Sequence, residues 1–228
     1  MTATGAVAPV CGAARATACH VWLRRAEVLS FLGNSLLHPM TSETSIGLRE
    51  SFWDAMADEL AAARCSHPHA TLGVERLKRY ARTAANVRKG SVERVAVEYA
   101  RLFLGPPKPA APPWETMYAA RGRVGEVGFG RATFDMRRLL REAGLAVRGS
   151  NNQYPDHMGL ELLYMAARCK SFAENPPTPD DERALARFAA EHPVSWAPAL
   201  REAVEAAAPE GYYRGVVEAV EGACSALA

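Results

Sequence analysis

Apolar residues recur along this chain at helical spacing, and strand-like alternation is almost absent. Trp22, Ala26, Leu29, Leu32 and Leu36 mark a first helix that ends near His38-Pro39. Leu48, Phe52, Met56 and Leu60 mark a second, entered through the polar Thr44 and Ser45. Leu77, Tyr80, Ala81, Ala84 and Val87 mark a third, closed by Lys89-Gly90. Ser91 is placed to cap a fourth, whose apolar face runs through Val92, Val95, Ala96, Tyr99, Leu102 and Phe103. Gly105 and Pro106 stop it.

The loop at 105–113 holds five prolines, which fix φ and remove backbone donors. It delivers an aromatic pair, Trp114 and Tyr118, on a short helix predicted from Trp114 to Ala120. A glycine-rich turn, Gly122 to Gly130, follows. Met136, Leu139, Leu140 and Ala143 mark the next helix, stopped by Gly144. From about Asp156 to Ala173 the pattern changes. Met158, Leu160, Leu162, Leu163, Tyr164, Met165 and Ala166 leave almost no polar face, which places this helix at the centre of the bundle. Asn175-Pro-Pro-Thr-Pro breaks the chain again, and three shorter helices close it. The first begins near Pro179 and carries Leu185 and Phe188. The second, capped by Ser195, carries Trp196, Leu200 and Val204. The last carries Tyr213, Val216, Val217, Val220 and Cys224. The expectation is an all-α, single-domain bundle of about nine or ten helices. Residues 1–16, rich in Ala, Thr and Gly, read as a flexible tail. Residues 17–228 read as one domain, because apolar faces continue on both sides of the Pro-rich loop.

Composition narrows the function classes. A chain of 228 residues buries roughly 70–75% of its unfolded surface. A net charge of +2 argues against a dedicated nucleic-acid binder. Five cysteines without a C-x-x-C pair point to reduced thiols rather than a disulfide framework, and so to the cytoplasm. Cys65-Ser-His67-Pro-His69 lacks a second half at zinc spacing, and no metal site or cofactor is expected. No apolar run approaches the ~20 residues that span a bilayer, so no stable membrane insertion is expected.

Few side chains carry chemistry. Gly125-Glu-Val-Gly-Phe-Gly130 has its glycines in the wrong order for a dinucleotide site and follows no strand. Asp156 and His157 are adjacent, and adjacent helical residues do not face each other. Near a helix start, Asp156 meets orphan amides, with His157 a first-turn residue bonding a loop. Glu161 stands in an otherwise apolar helix, where an unpaired charge is costly. It either pairs with a buried Arg, for which Arg168 shares its face, or lines a polar groove. Trp114 and Tyr118 are either a plug over the core or recognition anchors. A small helical hydrolase built on Asp156 and His157 would need a third catalytic group. A helical DNA-binding regulator would rest on Arg137, Arg138 and Arg141.

The ordered blocks Tyr99-Ala-Arg-Leu-Phe-Leu-Gly-Pro106, Pro112-Pro113-Trp114-Glu115 and Asp156-His157-Met-Gly-Leu-Glu161-Leu resemble the TorD/DmsD/NarJ family of redox-enzyme maturation chaperones. One departure stands out: Gln153-Tyr-Pro155 precedes Asp156 where the family often has a glutamate. The resemblance implies a cytoplasmic, non-enzymatic chaperone. Its partners would be the twin-arginine leader and the body of a molybdoenzyme catalytic subunit, and it would act as a monomer or homodimer. It would hold the immature enzyme back from export and assist cofactor insertion. The leader-binding residues it implies are Tyr99, Leu102, Phe103, Pro113, Trp114, Glu115, Tyr118, Asp156, His157 and Glu161. An apolar groove would take the leader's helical stretch, and carboxylates would take its arginine pair.

Overall fold

A computed structural model describes residues 8–86, 90–105, 107–119, 130–145 and 153–228, with only the backbone of 8–15 and 119. Every regular element among these residues is a helix, and no strand occurs among them. The helices are α1 (Ala8–Leu37), α2 (Glu50–Ala62), α3 (Pro68–Ala85), α4 (Ser91–Tyr99), α5 (Thr116–Ala119), α6 (Arg131–Glu142), α7 (Met158–Glu174), α8 (Pro179–Glu191), α9 (Pro193–Ala207) and α10 (Tyr212–Ser225). The start of α1 falls within the stretch expected to be a tail. Val87, Lys89, Ala120 and all but the last residue of the glycine-rich turn lie outside the described residues.

Helix ends follow local chemistry, though not always at the residue expected. Gly90, at φ 82°, takes the cap position before α4, while Ser91 Oγ donates to the Ala84 carbonyl at 3.3 Å. Ser195 lies inside α9, whose first residue is Pro193, and its hydroxyl bonds back to His192 O. Thr178 and Asp181 form a reciprocal capping box at the start of α8.

The fourth helix does not simply stop. Its final turn, Ala100–Leu104, widens to π geometry, and Gly105 N–H reaches Ala100 O at 2.9 Å. The carbonyls of Arg101 and Leu102 are then met by the amides of Ala110 and Ala111, at 3.2 and 2.8 Å. The Pro-rich loop is thereby folded back along the helix it follows. Gly105 sits at φ 85°, and a Cβ there would lie 2.8 Å from the Lys108 backbone, so glycine is required.

The buried centre is α10 rather than α7. Tyr212, Tyr213 and every residue from Gly215 to Cys224 are buried, and α10 packs on α1, α3, α4, α8 and α9. The sequence conceals this because α10 carries charges. Glu218 is paired with Arg76 of α3 at 2.8 Å, and Glu221 with Arg201 of α9 at 2.8 Å and His69 at 2.8 Å. Buried carboxyls survive when paired and bonded in this way. Glu98 of α4 accepts from the first amides of α10, Tyr212 and Tyr213, at 3.1 and 2.8 Å, supplying the cap that Gly211 lacks. The helix expected at the centre, α7, is also mostly buried and lies chiefly along α1.

Helices α3 and α10 approach so closely that a Cβ on Gly222 would land within the Ala70 backbone. Gly222→Ala is therefore expected to lower the unfolding free energy by about 2 kcal/mol, the usual scale of overpacking. Urea titration of the two proteins checks this, and equal stability would contradict the crossing.

Candidate functional site

The two sequence blocks, about forty residues apart, meet at one place. Glu115 N–H donates to Asp156 O at 3.0 Å, and Met158 N–H donates to Pro113 O at 2.9 Å. These bonds make an isolated antiparallel bridge centred on Trp114 and His157. Pro112 and Pro113 have no N–H to offer, so Pro113 joins only through its carbonyl. The loop end is thus stitched to the start of α7.

Asp156 is fully buried and both of its carboxyl oxygens are bonded. Oδ2 accepts from Thr116 N–H at 3.1 Å and Thr116 Oγ1 at 2.8 Å, and Oδ1 accepts from Thr133 Oγ1 at 2.9 Å. Its carboxyl therefore caps α5 and holds α6, instead of meeting amides of its own helix. The cap of α7 is His157, whose Nδ1 accepts from Gly159 N–H at 3.0 Å. That bond places the imidazole proton on Nε2, which is buried with no partner. Burial, helped by nearby His38, lowers the His157 pKa to about 3, so the ring is neutral at ordinary pH. The structure gives Asp156 and His157 separate partners. No relay joins them, which removes the geometry that a hydrolase built on this pair would need.

Trp114 is half-buried, edge-on to Tyr154 at 6.4 Å and to His157 at 6.0 Å between ring centroids. Its Nε1 is buried without a partner, while Tyr154 is 40% exposed. Tyr118 stacks on Trp196 at 5.3 Å, and burial pushes its hydroxyl well above the ordinary tyrosine range. Pro113 is buried. Tyr99, Leu102 and Phe103 lie in the core at 1% exposure or less, with Tyr99 Oη donating to Leu36 O at 3.1 Å. In this arrangement those three present no surface. Tyr99 and Phe103 pack against Tyr213 of α10, and Leu102 O holds the loop through Ala111 N–H.

Glu161 is fully buried in the first turn of α7. Its Oε2 accepts from Trp196 Nε1 at 3.2 Å, and its Oε1 meets no donor. Arg168, the candidate partner under the first of the two alternatives, pairs instead with Asp181 at 3.6 Å. The neighbour of Glu161 is another carboxyl, Glu115. Burial pushes the Glu161 pKa well above the usual carboxylate range, and Glu115 pushes it the same way. A proton on Glu161 makes it a donor to Glu115, which answers both the unpartnered oxygen and the like-charge conflict. Glu115 also faces His192, with Oε2 2.8 Å from Nδ1. His192 stacks on Phe188 at the junction of α8 and α9.

The sequence alone therefore missed Thr116, Thr133, His192 and Trp196 as members of this site. Its one available signal for His192 was the His-Pro step between two helical patterns. Two arginines of α6 are engaged locally: Arg138 pairs with Glu142 at 3.2 Å, and Arg137 lies over Phe134 at 5.7 Å. Among the described residues no helix is long and apolar enough to cross a membrane.

An all-helical bundle with a prolyl loop bridged to a buried Asp-His helix start is the class this geometry defines. The family model described as "Nitrate reductase delta subunit" matches residues 68–202, more than half of the chain, and the chain belongs to that family, which includes TorD, DmsD and NarJ. Among its relatives, the probable Tat proofreading chaperone DmsD of Haemophilus influenzae is 29% identical over 53% of this chain and 54% of that protein. The chaperone protein TorD of Photobacterium profundum is 26% identical over 88% of this chain and 91% of that one. The Tat proofreading chaperone DmsD of Salmonella typhi is 32% identical over 50% and 51%. The chain thus spans about half the length of the DmsD relatives and most of the TorD relative.

Proposed function

We propose that this protein is a redox-enzyme maturation chaperone that binds the twin-arginine leader of a molybdopterin-dependent oxidoreductase before export, and that it catalyses no reaction itself. The observation that carries the reading is the bridge at Trp114 and His157, which assembles the family's separated blocks into a single edge. Family membership and relatives named as chaperones support it.

The side chains divide the work. Trp114 and the exposed Tyr154 offer an aromatic edge to the leader's apolar stretch. Glu115, whose carboxyl lies nearer the surface than that of Glu161, is the acid best placed for a guanidinium. Asp156, occupied by two threonines, fixes the loop rather than touching the leader. His157 holds the start of α7.

Calorimetric titration with a synthetic twin-arginine leader, beside a leader with both arginines replaced by alanine, tests this. The intact leader is expected to bind and the control to bind more weakly. Trp114→Ala is expected to weaken binding of the intact leader by about 1 kcal/mol or more with helical content unchanged. Equal affinity for both leaders would overturn the reading.

A further inference from the structure

The meeting of Glu115, Glu161 and His192 is more than a pair of carboxyls in an awkward place. One donor atom from each residue lies within 4.8 Å of the others. They come from three separate segments: the end of the Pro-rich loop, the first turn of α7, and the α8–α9 junction. Each is fixed independently. Glu115 N–H is bonded into the bridge, Glu161 is held by Trp196 Nε1 at 3.2 Å, and the His192 ring lies stacked on Phe188 at 4.8 Å. Glu161 Oε1 is wholly buried and meets no donor, so without an ion only a proton shared with Glu115 satisfies it.

From this geometry we propose that Glu115, Glu161 and His192 form a binding site for a divalent first-row transition metal of the zinc or cobalt class. Two carboxylate oxygens and one imidazole nitrogen suit such borderline cations. The bonds would be about 2.0–2.2 Å long, so the three donor atoms close in slightly around the ion. Trp196 Nε1 serves as the outer partner that orients Glu161, the role such hydrogen bonds play at metal sites. His192 and Glu115 keep 13% and 9% of their side chains exposed, so the ion enters from that side, which leaves a fourth position open to water. The site clamps the Pro-rich loop to α7 and to the α8–α9 junction. The site shares Glu115 with the leader-binding reading, so an ion there would compete with the leader's arginines, and the two readings are told apart by titrating leader with a chelator present and metal without leader.

The sequence hid the site because its ligands are far apart along the chain and show no metal spacing. The Cys65–His69 cluster, which has the look of a metal motif, lies elsewhere: His69 is occupied by Glu221 at 2.8 Å.

The test uses the full chain, stripped with a chelator and then titrated with Co2+ and Zn2+. One equivalent of Co2+ is expected to bind and to give visible d–d bands, and Zn2+ is expected to raise the thermal midpoint. Affinity should fall by roughly tenfold or more in His192→Ala and in Glu161→Gln, and by about tenfold in Trp196→Phe, which keeps an aromatic ring there but removes the donor. His192 is partly exposed, so its variant keeps the test valid if Glu161→Gln fails to fold; circular dichroism verifies each variant. Absence of bound Co2+, or binding at full strength in folded His192→Ala, overturns the proposal, the second result by placing the ion at another site.

Discussion

Asp156→Ala is expected to lower the unfolding free energy by about 4 kcal/mol, the scale of a broken buried polar network. The reason is that its carboxyl serves three donors from two other segments. Thr116 N–H, Thr116 Oγ1 and Thr133 Oγ1 all point at it from 2.8–3.1 Å, and it is fully buried. Alanine would leave these donors dry and unpaired while opening a small cavity. Asp156→Asn should fall between the two, since one carbonyl oxygen remains and the new amide faces donors. Thr133→Val, which removes a single hydroxyl at nearly constant shape, should cost about 1–2 kcal/mol. Denaturant unfolding of the three variants gives the order. If Asp156→Ala were as stable as the parent protein, the bonds to Thr116 and Thr133 would not exist as described. With the expected destabilisation, loss of leader binding in Asp156→Ala follows from loss of the loop's anchor. In Trp114→Ala, by contrast, leader binding should fall while stability changes less.

The helices were legible because each apolar face repeats at a period that only a helix satisfies, from Trp22–Leu36 to Val216–Cys224. The two blocks of the candidate site were legible as well, each as a local oddity: prolines running into Trp114, and an acid within an apolar run at Glu161. What they touch was not legible. Whether Asp156 caps its own helix or another depends on where Thr116 and Thr133 arrive, and the bridge decides that. The central position of α10 was hidden for a related reason. Glu218 and Glu221 look like a solvated face until Arg76 and Arg201 come in from other helices. Tyr99, Leu102 and Phe103 share the motif with Gly105, yet they face inward because the motif builds the support of the loop as well as its edge. Long-range polar pairing leaves little trace in a single sequence, whereas apolar periodicity leaves a clear one.

The same burial gives the site a pH dependence with two opposing limbs, best measured with a chelator present. His157 titrates near 6.5 in the unfolded chain and is held to about 3 in the fold. Between those values the unfolded state binds a proton that the native state refuses, so stability falls as pH drops from 6.5 towards 3. Each unit of pKa difference corresponds to about 1.4 kcal/mol, so this group alone accounts for roughly 5 kcal/mol across the window. Protonation also removes the acceptor for Gly159 N–H, so acid should fray the start of α7 and loosen the bridge at Trp114. Glu161 acts with the opposite sign. Its folded pKa is raised, so the native state keeps a proton that the unfolded chain loses above about 4.5. Stability from that group falls as pH rises through the folded value. His157→Asn keeps a short acceptor at the cap without a titrating ring. Between pH 5 and 6 the slope of its stability against pH should be lower than the parent's by about 1.4 kcal/mol per pH unit, since only the opposing Glu161 contribution remains. Glu161→Gln should leave that acid limb intact and flatten the alkaline one, gaining on the parent protein as pH rises. Parallel acid limbs for His157→Asn and the parent would mean that His157 is solvated and protonates freely, and the buried cap at the start of α7 would have to be abandoned.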